Sequence, residues 1–218
     1  KYNRNIQQRN SLLKTERIDK YLIEVLDEIL VDTAAYIHDK RQDFLEKFIP
    51  IFEEYYHFVS NSNSKEIVKI NYLSHLLEGD LALQLKESFE RDKILGHTTK
   101  GIHKDELEFT LNEYAVKRIA SQGQNKTFLI ALKLAQFDFL KEISSLFPIL
   151  LFDDIFDKLD AKRVRQIINL VAKDSFGQIF ITDTNRKYLD EILQEVKGEY
   201  KTFIIKNGEP IVEQGENI

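Results

Sequence analysis

The run Ile149-Leu150-Leu151-Phe152, stopped by Asp153-Asp154, constrains this sequence more than any other feature. Four consecutive apolar residues call for cover on both faces, which a central parallel strand receives and a surface strand does not. Two further runs of the same kind follow, Gln178-Ile179-Phe180-Ile181 and Thr202-Phe203-Ile204-Ile205. Helical stretches near Lys162 to Ala172 and from about Arg186 separate them. Strand, helix, strand, helix, strand predicts buried parallel strands in an α/β sheet. Such sheets bind ligands at the C-terminal ends of their strands, where Asp153 and Asp154 stand. Asn207-Gly208, ahead of Ile211 and Val212, predicts a closing hairpin.

The first part of the chain has a different texture. From Lys14 to Phe58 there is no Gly and a single Pro, Pro50, and apolar residues recur at helical spacing through Ile18, Leu22, Val25, Leu26 and Ile29. Long amphipathic helices are expected, with a seam too irregular for a sustained heptad coiled coil. A polar turn at Asn61-Ser62-Asn63-Ser64, a strand over Ile67 to Leu73 and a helix capped by Asp80 and running to about Ile94 come next. Leu107, Phe109 and Leu111 then alternate with Glu106, Glu108 and Thr110, which predicts a strand with one dry face, and a long helix should cover Gln122 to Ile143.

Composition narrows the function classes. With 43% hydrophobic and 31% charged residues in 218, the chain has the makings of a folded core. Zero Cys excludes disulfides and thiol chemistry. A net charge of −5 excludes a uniformly basic nucleic-acid binder but permits a local basic face on an acidic body. No apolar run reaches the roughly 18 residues of a membrane span, and the charged N-terminus is not signal-like, so a cytoplasmic product without a membrane role is expected. With 0 Met and the opening Lys1-Tyr2-Asn3, the sequence is expected to be a fragment of a longer chain.

A carboxylate fixed at a strand end suits a hydrated Mg²⁺ beside a nucleotide, and the following acid can orient a water, although such a pair can also simply open a helix cap. Ser121-Gln122-Gly123-Gln124, directly before the long helix, reads as a capping box. It also makes the helix start a place where backbone amides can meet an anion. A phosphate-ready helix start therefore lies one helix upstream of a Mg²⁺-ready strand end.

Ser121-Gln122-Gly123-Gln124-Asn125-Lys126-Thr127, Ile149 to Asp154, and Lys158-Leu159-Asp160 resemble the signature motif, Walker B and D-loop of ABC-type ATPases of the SMC-like branch. The SQGQ form is similar to the RecF family of bacterial recombination mediators. So are Gly96-His97-Thr98, the run Gly101-Ile102-His103-Lys104-Asp105-Glu106-Leu107-Glu108, and Gln178 to Thr184. Weaker similarity, including Gln8 to Leu13, extends over nearly the whole chain.

The resemblance implies a helical lobe over 1–94 and the C-terminal half of an ATPase head over 95–218. It implies an ATP-dependent homodimer in which Ser121 and the Gly123 amide, within the motif that includes Gln122 and Gln124, meet the γ-phosphate held by the partner. Asp160 would cross that interface, and Asp153 would hold Mg²⁺. Asp154 stands where most ABC ATPases place a Glu, and its shorter reach fits slow hydrolysis; Thr182 or Thr184 falls near the usual switch His. The family implies binding of single-stranded and gapped double-stranded DNA, and help to RecO and RecR in loading RecA. Arg9, Lys14 and Lys104 are candidates for DNA phosphate contact, a solvated basic face being the alternative. His103 reads as a contact to nucleotide or DNA or as part of a loop hydrogen-bond network, and His38, His57 and His75 suggest no metal site.

The departures matter equally. Ile102 replaces the family's Pro and Lys104 its Arg, which predicts a looser loop without bidentate pairing. No G-x-x-x-x-G-K-[ST] occurs, so the chain alone is expected to bind ATP poorly. Two competing readings are an ATPase-like interaction module without turnover, and another SMC-like ATPase, which would need long heptad arms.

Overall fold

The computed structural model describes residues 1–60, 66–144, 146–156, 159–171, 176–184 and 200–213. The expected turn at 61–64, the helix from Arg186, and Lys158 lie outside the described residues. The chain divides into two compact units, Lys1–Phe139 and Leu140–Ile218.

In the first unit, α1 (Tyr2–Leu13) precedes α2 (Lys20–Ser60), a single 41-residue helix that runs through Pro50. An interior proline costs about 3 kcal/mol of helix stability. Burial of Phe48, Phe52, Tyr56 and Val59 around and beyond it holds the helix together. β1 (Val68–Leu73), α3 (His75–Glu78) and α4 (Leu81–Leu95) follow. Asp80 caps α4, its carboxylate accepting from the amides of Ala82 and Leu83, and Gly96 ends it in the left-handed conformation at φ 68°. A short 3₁₀ turn (Ile102–Lys104) leads into β2 (Glu106–Leu111), β3 (Tyr114–Ala115), α5 (Val116–Ile119) and α6 (Gln122–Ser144), whose residues from Leu140 onward belong to the second unit.

The sheet order is β1-β2-β3, with antiparallel register Val68↔Leu111 through Leu73↔Glu106. β1 therefore pairs across the expected 94/95 division. One core joins the second half of α2 to this sheet and α6, with Phe128 of α6 4.9 Å from Phe52 and 5.3 Å from Tyr56. Another joins α1, the first half of α2, α4 and the 3₁₀ turn around Tyr2, Leu30, Leu85 and Ile102. The alternation expected of β2 holds only in part: Leu107 is 38% exposed, while Thr110 is buried. The core lies under the second half of the strand, and Thr110 sits in mid-sheet between Lys69 and Ala115.

In the second unit, β4 (Leu150–Asp153) pairs in parallel with β5 (Ile179–Thr182), and α7 (Ala161–Val171) lies between them in sequence. The parallel expectation holds, but cover on both faces does not: Phe152 is buried, whereas Leu151 is 67% exposed. β6 (Thr202–Lys206) was expected as a third parallel strand. It instead forms an antiparallel hairpin with β7 (Glu209–Glu213), apart from β4 and β5 among the described residues. Asn207 and Gly208 both take positive φ, 53° and 84°, which is the two-residue turn whose twist suits local hairpin pairing.

Candidate functional site

The residues singled out by sequence fall into three groups, two in the first unit and one in the second. In the turn before α6, the Ser121 amide donates to Gln124 Oε1 at 2.8 Å and the Gln124 amide donates to Ser121 Oγ at 3.2 Å, forming the expected capping box. Accepting this bond leaves the Ser121 hydroxyl its own proton to donate. Ser121 and Gln122 are exposed, Gly123 is half-buried, and the Gly123 carbonyl accepts from Thr127 Oγ1 at 2.9 Å. Gln124 is also tied outside the motif. Its Nε2 donates to Glu66 Oε1 at 2.8 Å, and Glu66 Oε2 accepts from the hydroxyl of fully buried Tyr56 at 2.8 Å. The sequence reading missed Glu66, since no local spacing relates it to Gln124.

At the end of β4 the register sets Asp153 opposite Thr182, and Thr182 Oγ1 donates to Asp153 Oδ1. The Asp154 amide donates to the Thr182 carbonyl at 3.0 Å and approaches its hydroxyl at 3.3 Å. Asp154 itself sits at φ 48°, a left-handed conformation that Asp tolerates at a cost of about 1 kcal/mol. The Phe156 amide then donates to Asp183 Oδ2 at 3.1 Å, while Ile155 and Phe156 turn inward at 2% exposure. The end of β5 thus holds the turn by the carbonyl and hydroxyl of Thr182 and by the Asp183 carboxylate. Asp153 and Asp154 are exposed, as is Thr184 just beyond β5. Asp160 caps α7 through the Arg163 amide at 2.9 Å.

Exposed carboxylates beside a hydroxyl suit a hard cation such as Mg²⁺, which takes oxygen ligands and keeps several waters. Among the described residues no three His, Asp or Glu side chains converge on one point. A cation at Asp153 would therefore complete its shell with water and phosphate.

The third group is the loop from Gly96 to Asp105. Asp92, fully buried, accepts from the Thr99 amide at 2.9 Å and the Thr99 hydroxyl at 2.6 Å through Oδ1, and from Arg9 at 2.7 Å through Oδ2. Arg9 also reaches Asp27 at 2.6 Å and Thr98 Oγ1 at 3.0 Å. At 0% exposure Arg9 has no face to offer DNA, which corrects its place among the DNA candidates: the charge organises the fold instead. Burial raises the Asp27 carboxyl above its ordinary range, and the neighbouring Arg9 pulls it back.

Gly101, at φ 124°, donates its amide to His75 Nδ1 at 3.1 Å, and a Cβ there would lie 2.5 Å from the Tyr2 hydroxyl. His103 Nε2 faces the Thr98 carbonyl at 3.0 Å. Because a carbonyl only accepts, Nε2 carries the proton and Nδ1 accepts from the Tyr2 hydroxyl at 3.0 Å. His103 is exposed as a residue, but partial desolvation of its hydrogen-bonded ring lowers its pKa, opposed chiefly by the Thr98 carbonyl; burial pushes the Tyr2 phenol up to about 12. The structure thus resolves His103 into the loop network. Asp105 accepts from Arg41 and Tyr72, and Arg41 also reaches the Ile102 carbonyl at 2.9 Å. The looser loop expected from Ile102 is corrected: Ile102 is a core residue at 3% exposure and the loop is tied on both sides. Lys104 and Lys14 are exposed, and the Lys14 stem packs near Gly96.

No helix among the described residues is long and apolar enough to cross a membrane. No family model matches the sequence. The chain is 52% identical to the DNA replication and repair protein RecF of Bacteroides thetaiotaomicron, over 95% of its own length and 56% of that protein. It is 55% identical, with the same coverage, to the protein of that name from Parabacteroides distasonis. Among solved structures it is similar to the recombination mediator protein RecF-ATP in the RecFOR pathway, with a TM-score of 0.76 and 29% identity, over 97% of this chain and 57% of that one. The Smc head domain of Pyrococcus furiosus shares the fold at a TM-score of 0.51 and 15% identity, over 89% of this chain and 41% of that one. The fold is thus that of ABC/SMC-like ATPase heads, with the helices first. The chain is thus similar to RecF proteins over nearly all of its own length, and it spans 56% of the length of those curated relatives.

Proposed function

We propose that the whole protein is an ATP-dependent, DNA-binding recombination mediator of the RecF type. It would act at single-strand gaps in DNA replication and repair and help RecO and RecR to load RecA. The observation that supports this reading is the presence, in one chain about half identical to RecF proteins, of both a capped SQGQ helix start and an Asp-Asp strand end. Residues 1–94 are the helical lobe and 95–218 part of the head. Bound ATP would join two subunits, and its hydrolysis would release them.

In this reading Ser121 donates its hydroxyl proton, and Gly123 its amide, to phosphate oxygens presented by the partner subunit. Gln122 and Gln124 shape that surface. Asp153 would hold Mg²⁺, with Thr182 fixing the carboxylate orientation. Asp154 would orient the attacking water, Thr184 would lie beside the phosphate, and Asp160 would approach the partner. Lys14 and Lys104 would contact DNA phosphates in single-stranded and gapped duplexes.

Replacing Ser121 with Arg in the whole protein should abolish ATP-dependent dimerisation while leaving nucleotide binding intact, and Asp154→Asn should trap the ATP dimer. Sedimentation with and without ATP reads both. A monomer–dimer balance unchanged in the two variants refutes the assignment.

A further inference from the structure

We infer that Glu66 is a positioning residue that clamps the SQGQ helix start to the long helix α2, and so sets the presentation of Ser121. The inference rests on the phosphate-contact role of Ser121 proposed above.

Gln124 carries both a donor and an acceptor on its side chain, and the capping box needs the acceptor, Oε1, turned toward the Ser121 amide. A carboxylate only accepts hydrogen bonds, so Glu66 at 2.8 Å can be satisfied only by the amide nitrogen of Gln124. Glu66 therefore selects the one amide orientation that closes the box. Its second oxygen is committed to the Tyr56 hydroxyl at 2.8 Å, and Tyr56 has no exposed surface. Tyr56 also meets the ring of Phe128 edge to face, with centroids 5.3 Å apart and planes at 61°. Gln124 and Phe128 are four residues apart, on one face of α6. The end of α2 thus grips the first turns of α6 at two points, one polar through Glu66 and one apolar through Phe128. A shift of α2 along its axis would be felt at Ser121 through a chain of three side chains, with no change needed in the motif itself.

The test has two arms. In the 218-residue chain, Glu66→Ala should raise hydrogen exchange at the Ser121 and Gln124 amides about tenfold, the effect of losing one well-made hydrogen bond. Glu66→Gln, whose carbonyl can still accept from Gln124 while its amide donates to Tyr56, should stay within about threefold of the parent. In the whole protein, Glu66→Ala should require about tenfold more protein for ATP-driven dimerisation, with ATP binding to the monomer unchanged, and Glu66→Gln should restore it. Tyr56→Phe, which removes one hydroxyl, stands in if Glu66→Ala melts, with smaller shifts in the same direction.

Unchanged exchange in Glu66→Ala overturns the clamp. So does an effect of Glu66→Gln equal to that of Glu66→Ala, and raised exchange with unaltered dimerisation overturns the positioning role. If the parent protein itself fails to dimerise on ATP, the proposed function falls, and the exchange arm alone decides whether the clamp exists.

Discussion

The loop from Gly96 to Asp105 and the turn from Asp153 to Phe156 use the same chemistry to opposite ends. In each, a threonine hydroxyl donates to an aspartate: Thr99 to Asp92 beside the loop, Thr182 to Asp153 at the turn. Asp92 is wholly buried and shares Arg9 with Asp27, so its oxygens are consumed by protein donors and its charge is balanced inside the fold. Asp153 stands exposed at a strand end, fixed on one oxygen by its neighbour. The difference teaches where a carboxylate is structural and where it is available. Compensation by a buried cation ties the first to stability, whereas orientation without burial leaves the second accessible from solvent.

Substitutions at three positions, the last read against pH, would test this contrast. The largest effect is expected from Arg9→Ala, which leaves Asp92 buried without its cation and should cost about 3–5 kcal/mol of the first unit's stability. Arg9→Lys should recover little, because one ammonium cannot serve partners at both Nε and Nη1. Denaturant unfolding measures both, and a loss near 1 kcal/mol would place the cluster among ordinary surface pairs.

Thr182→Val should behave in the opposite manner. Its hydroxyl lies at an exposed strand end, so stability should change by about 0.5 kcal/mol or less. If the whole protein hydrolyses ATP as proposed, kcat should fall about tenfold with KM little altered, since the variant loosens the Asp153 carboxylate rather than the proposed nucleotide contacts. A large stability loss with unaltered turnover would reverse the contrast between the two regions.

The smallest effect concerns pH. Partial desolvation of the His103 ring, in a residue that is otherwise exposed, holds its pKa below the ordinary value, so a small contribution to stability is complete above the unfolded pKa of about 6.5 and is lost as pH falls through the lower folded value. His103→Gln should therefore flatten the decline in stability between neutral and mildly acidic pH. Parallel pH curves for parent and variant would remove His103 from the account of the loop.

Much of the local structure was legible because it is written in residues one to three apart. The Asp80 cap, the Ser121/Gln124 box and the Asn207-Gly208 turn each depend on atoms that neighbour one another in the chain whatever the tertiary fold. The parallel pairing of β4 and β5 followed from their apolar runs. The same logic overreached at β6, where a local turn signal outweighed the sheet pattern, and at β2, where alternation could not say how far along the strand the core extends.

The order of most elements and the motif residues that resemble RecF, Ser121 to Gln124 and Asp153 to Asp160, are local properties of the chain. Which polar groups are consumed inside the fold and which stay exposed depends on packing between distant segments. Arg9 meets Asp92 across 83 positions, and Glu66 meets Gln124 across 58. No periodicity encodes such pairs: a buried charge or amide must find a partner once water is removed, and which partner it finds is set by how the helices and sheet pack.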